Sequence, residues 1–149
     1  MRLRMILLSS LVAVPAGSLL GGWAVVTVEN PPERLVVGTP DVIEYSVRQH
    51  GKELLTGLSG NVEARAGSQV VRADAKAIGT GKYSASITVP TTGSWTITVN
   101  SGFGKSVTTM RPLAAVAAGA PIVAMSDVER GQHLFSAKGC ATCHVEMKV

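Results

Sequence analysis

The sequence predicts a mainly β protein, an antiparallel β-sandwich followed by an α-helix close to the C-terminus. Three observations carry this expectation. From Trp23 to Pro112, apolar and polar residues alternate with period 2, the mark of strands with one buried face. Clusters of Gly, Pro, Ser and Thr cut that alternation into short runs. After Ser126 the pattern changes to a helical period. Of the 149 residues 46% are hydrophobic and 16% charged, a balance that builds a core and excludes global disorder.

The chain opens with Met1-Arg2-Leu3-Arg4, an uncharged run from Met5 to Val14, and Pro15-Ala16-Gly17-Ser18. A basic start, a short apolar stretch and small residues after a proline describe a secretory signal, with cleavage after Ser18 or Ala24. The uncharged stretch reaches Val28, long enough for a membrane span, so residues 1–22 are read as a signal peptide or an N-terminal membrane anchor. Either form exports the rest, which predicts a periplasmic or extracytoplasmic membrane-associated bacterial location. The formal net charge of +4 owes half its excess to Arg2 and Arg4. Without residues 1–18, twelve basic residues face ten acidic ones, a net +2 that implies no nucleic-acid partner.

Residues 23–112 make up the predicted sandwich. Trp23 to Val28 opens it, and Ile43, Tyr45 and Val47 alternate with Glu44, Ser46 and Arg48. Val62 and Ala64 follow, then Val71, Ala73 and Ala75, then Tyr83, Ala85, Ile87 and Val89, then Trp95, Ile97 and Val99. A last run, Lys105 to Arg111, is expected to turn Val107 inward. Turns fall at Pro31-Pro32, His50-Gly51, Ala66-Gly67-Ser68, Gly79-Thr80-Gly81, Pro90 to Gly93 and Gly102-Phe103-Gly104. About seven strands at this spacing suit a sandwich.

Gly79-Thr80-Gly81-Lys82-Tyr83 resembles the tyrosine corner of immunoglobulin-like sandwiches, where a tyrosine near the start of a late strand bonds back to the turn before it. The runs Val47 to Gly51, Val62-Glu63-Ala64 and Gly93 to Ile97 resemble those of the small exported bacterial domains called YtkA-like. The likeness covers about 90 residues and implies an immunoglobulin-like fold without implying an activity.

Residues 113–125 carry no charge, and Gly119 and Pro121 interrupt their alanine-rich run, so they are read as a linker. A packed segment along the sandwich edge is the alternative. Ser126-Asp127-Val128-Glu129 then forms a capping box that starts a helix. Val128, Gly131 or Gln132, and Phe135 share one face, His133 is expected to be exposed, and Gly139 suits the helix end.

Cys140-Ala141-Thr142-Cys143-His144 follows at once, and C-x-x-C-H is the attachment signature of c-type haem. Two thiols at this spacing reach the two vinyl groups on one porphyrin edge, and the next residue brings an imidazole to the iron. Cys140, Cys143 and His144 are therefore the candidate cofactor-binding residues, and His144 is the candidate metal ligand. The competing readings are a dithiol redox pair, a small structural disulfide and a zinc site. The first lacks a βαβ context and the last lacks ligands.

The sequence Gly131-x-x-Leu134-Phe135-x-x-Lys138-Gly139-Cys140 resembles the first helix of class I cytochromes c. That resemblance implies one covalent haem c, with residues 126–149 as the N-terminal part of a cytochrome c domain. In that family the glycine and the aromatic pack on a later helix, and a later methionine commonly binds the iron's other face. Met147 lies too close to His144 for that role, so the sequence reads as truncated after the haem motif, with completion by a partner or missing chain, or a degenerate remnant, as the alternatives.

Other candidates carry less. His50 reads as a turn residue, and Met110 and Met125 as core or linker residues. Lys105, Arg111 and Lys138 are read as solvated surface, with docking of an acidic redox partner as the sharper alternative. No nucleophile–base pair or phosphate loop is recognisable. The expected function is electron transfer with periplasmic or membrane redox partners, not catalysis. The alternative is a non-catalytic periplasmic binding or assembly module with an unmetallated C-terminal stub.

Overall fold

The computed structural model describes residues 22–144. The expected signal or anchor segment, but for Gly22, and Met147 lie outside the described residues. Among the described residues no helix is long and apolar enough to cross a membrane.

Among the described residues eleven strands precede the helix. In chain order they are β1 (Ala24–Val28), β2 (Leu35–Val36), β3 (Asp41–Gln49), β4 (Glu53–Leu54), β5 (Asn61–Ala66) and β6 (Gln69–Asp74). Then come β7 (Lys76–Gly79), β8 (Lys82–Ile87), β9 (Gly93–Asn100), β10 (Val107–Thr109) and β11 (Leu113–Val116). One sheet has the order β1-β3-β8-β7, with β4 on β3, and the other runs β2-β11-β9-β5-β6, with β10 on β9. The pairings are antiparallel except between β2 and β11. This is the immunoglobulin-like arrangement, in which the first, second, fifth and fourth main strands share a sheet opposite the third, sixth and seventh.

The alternation read from sequence is the burial pattern. Val26, Val28, Ile43, Tyr45 and Val47 of one sheet and Val62, Ala64, Trp95, Ile97 and Val99 of the other are buried in one core. Burying such side chains stabilises the fold by about 1.5–3 kcal/mol each relative to exposure. Trp95 places its indole N–H on the Thr91 carbonyl at 3.0 Å, so its one polar atom is satisfied. His50 and Gly51 both have positive φ, 49° and 72°, as the centre of a type I′ hairpin requires. His50 is thus a turn residue, packed edge-on against Trp23.

Four expectations change. The run Val71–Lys76 is not one strand: the chain crosses from β6 in one sheet to β7 in the other at Ala75, whose N–H bonds the Gly60 carbonyl at 2.9 Å. The last run has the opposite register, with Val107 47% exposed while Thr108 and Met110 point inward. The Thr108 hydroxyl is satisfied there by the Val26 carbonyl at 2.7 Å, so a polar residue takes the buried place.

Tyr83 does not bond to the turn before it. Its strand, β8, takes the fifth position in the immunoglobulin-like order, and its hydroxyl reaches the Leu55–Leu58 segment. Finally, Leu113–Val116 is β11, with Leu113 and Ala115 buried, so the sandwich runs past 112 and the connecting segment shortens to 117–125. Arg111-Pro112 separates β10 from β11, which cover successive halves of one β9 edge. Proline has no N–H for a ladder, which explains the break.

Candidate functional site

The helix α1 spans Asp127–Ala137. Ser126 caps it as expected: its hydroxyl accepts from the Glu129 N–H at 3.3 Å, and its own N–H donates to Glu129 Oε2 at 2.9 Å. The Ser126 hydroxyl donates to the same carboxylate oxygen at 2.7 Å, and this bond, followed by that from the Ser126 N–H, holds the Glu129 carboxyl below the usual carboxylate range. At the other end the Lys138 N–H bonds the Leu134 carbonyl, and Gly139 follows in the left-handed conformation with φ 75°.

The helix lies on the sandwich by a face other than the one its apolar residues suggest. His133 and Ala137, four residues apart, are buried, while Val128 is 71% exposed. At 100° per residue, Val128 and His133 lie about 140° apart around the axis. The expectation of an exposed His133 is therefore overturned. Arg130, on the docked side, pairs with Glu33 at 3.3 Å, an exposed bridge that contributes little.

His133 is 2% exposed, and neither ring nitrogen has a hydrogen-bond partner among the described residues. Burial pulls its pKa below the ordinary imidazole range, opposed by the nearby Pro32 carbonyl and the Glu33 carboxylate. The ring borders a hollow of about 310 Å³ that Met125, Glu129 and Arg111 also line.

The end of α1 meets the open edge of β1. Lys138, expected at the solvated surface, instead turns its ammonium onto the carbonyls of Val28, at 2.9 Å, and Glu29. The Thr27 hydroxyl donates back to the Lys138 carbonyl at 3.2 Å. Gly139 is buried against Val26, whose carbonyl oxygen would lie 2.5 Å from an added Cβ. Immediately after it, Cys140–Thr142 forms a 3₁₀ turn. Its bonds run from the N–H groups of Thr142 to Gly139, at 3.0 Å, and of His144 to Cys140, at 2.9 Å.

Cys140 and Cys143 are free and exposed, and His144 is exposed beside them. A cleft of about 360 Å³ opens between this turn, β1 and β10, lined by Trp23, Lys105, Val107, Gly139, Ala141 and Thr142 among others. Among the described residues no three His, Cys, Asp or Glu side chains converge as a metal-ion site. The donor set still fits a haem, which needs two accessible thiols for its vinyl edge and one imidazole for its iron, not three ligands on one ion. Of the sequence candidates, the structure brings Cys140, Cys143 and His144 together on one exposed turn. Met110 is buried in the sandwich core and Met125 packs against it. The inward turn of Lys138 is the feature that residue type concealed, because a lysine beside a helix end reads as surface by default.

Fold and site together define a class: an immunoglobulin-like sandwich with a docked C-terminal helix that delivers a C-x-x-C-H turn. The chain matches no protein-family model, and no curated protein aligns with it significantly.

Proposed function

We propose that this protein is an exported c-type cytochrome that carries one covalent haem on Cys140 and Cys143, with His144 as the proximal iron ligand. The observation that carries the reading is the turn itself: two free, exposed thiols and an adjacent imidazole, presented by a capped helix. When bound, the haem would supply reversible one-electron chemistry at its iron. The chain's own residues have other tasks. Cys140 and Cys143 would hold the haem through two thioethers, a role that requires both thiols to be reduced and accessible, as they are here. His144 Nδ1 or Nε2 must be unprotonated to bind iron. Export places the product among periplasmic or membrane redox partners, and the protein serves as an electron carrier rather than a catalyst.

The test is expression of the full chain in a periplasm with haem-attachment machinery, followed by a haem stain of a denaturing gel. A stained band is expected, lost when Cys140 and Cys143 are both replaced by Ala. An unstained wild-type band would remove this reading and leave a sandwich that acts as a binding or assembly module.

A further inference from the structure

We infer that Lys138 and Gly139 are positioning residues that clamp the C-x-x-C-H turn to the open edge of β1, so that a haem attached there is held rigidly against the sandwich. The inference deepens the haem reading and rests on it for the cofactor alone; the clamp itself is a property of the chain.

Four contacts meet within a few residues of the motif. The Lys138 ammonium donates to two successive backbone carbonyls, Val28 and Glu29, at the point where β1 ends. Charge-assisted bonds of this kind are about twice as strong as neutral ones. The Thr27 hydroxyl closes the loop by donating to the Lys138 carbonyl. Gly139 makes the closest approach, against Val25 and Val26, where any side chain would collide with backbone. Its φ of 75° gives a second and independent reason for glycine.

From Gly139 the clamp passes directly into the motif. The Gly139 carbonyl accepts from Thr142, and the Cys140 carbonyl accepts from Cys143 at 3.2 Å and from His144. The thiols and the imidazole are thus one short hydrogen-bonded turn away from the sheet edge. The sequence predicts a linker over 113–125 that would let the motif swing. The structure instead spends the unpaired edge of β1, which a sandwich must cover in some way, on holding that motif. A fixed turn matters to an electron carrier because the exposure of the haem and the bonds around it set its potential.

The test uses the full chain with Lys138→Met, Lys138→Arg and Gly139→Ala, and two readouts. In the haem-free protein, hydrogen exchange at Thr142, Cys143 and His144 is expected to speed up about tenfold or more in Lys138→Met and Gly139→Ala, and to stay near wild type in Lys138→Arg. Protected amides in β3 and β9 report that the sandwich is intact in every variant. In the haem-loaded protein, the same two variants are expected to weaken the circular dichroism of the Soret band and shift the midpoint potential, while the haem stain is unchanged. Exchange rates and Soret dichroism equal to wild type in both variants would overturn the clamp. Failure of the wild type to take up haem would remove the cofactor reading, and the exchange measurement would still decide the clamp.

Discussion

Tyr83 and Tyr45 stack within one core, their ring centroids 5.5 Å apart, yet their hydroxyls stand in opposite situations. The Tyr83 hydroxyl donates to the Leu55 carbonyl at 2.8 Å and accepts from the Leu58 N–H at 3.3 Å, tying β8 to the loop that leads into β5. The Tyr45 hydroxyl is buried and has no partner among the described residues, and burial followed by the neighbouring Tyr83 pushes its pKa up to about 12. Removing each oxygen should therefore have unequal effects. Tyr83→Phe leaves a backbone donor and acceptor unmet and should cost about 1–3 kcal/mol. Tyr45→Phe removes an atom that is desolvated without return and should be neutral or stabilising. Urea denaturation checks both, as a lower midpoint for Tyr83→Phe only. The pattern of apolar spacing announces both tyrosines as core residues. It cannot tell them apart, because the Leu55–Leu58 segment that satisfies one lies 25 to 28 residues away in sequence.

At the level of the element, α1 is short and its ends were legible. The capping box and the glycine stop are local chemistry, and both appear where the sequence puts them. Its docked face was not legible. Val128, Leu134 and Phe135 are the large apolar residues, but the face that meets the sandwich carries Arg130, His133 and Ala137.

This face makes docking depend on pH. Folded His133 binds protons less readily than an unfolded imidazole, so protonation favours the undocked state. The contribution is fully present above about 6.5, the ordinary imidazole value, and is lost as pH falls below it. Of the charged groups around the ring, Glu33, itself paired with Arg130, favours protonation, and Arg111 and Glu129 line the same hollow. Lowering the pH from 7.5 to 5 should reduce stability, measured as the urea midpoint of the helical signal. His133→Leu should flatten that dependence, and a slope unchanged by the substitution would assign it to other groups.

For the whole molecule, the consequence of the docked helix is cooperativity. A helix of eleven residues is marginal alone in water, so α1 should persist only while the sandwich holds it. At pH 7.5 the loss of helical dichroism and the change in fluorescence of the buried Trp95 should coincide along one urea curve. Two separated transitions would show that the C-terminal segment is an independent unit, as the linker reading of 113–125 supposes. The structure argues for one unit, since β11 extends the second sheet to Val116 and Lys138 and Gly139 reach back to the first strand.

Local chemistry by itself determined the β class, the alternating core, the turns at His50-Gly51 and Gly67, the helix with its cap, and the C-x-x-C-H turn. Each of these depends on residues within a few positions of one another, so periodicity and turn preference suffice to find them. Tertiary structure decided which sheet each strand joins, the reversed register of β10, the partners of Tyr83, the burial of His133 and the anchoring of Lys138. Those outcomes depend on carbonyls and hydroxyls brought together from distant parts of the chain. Val28 and Lys138 are 110 residues apart, and only the closed sandwich places one within 2.9 Å of the other.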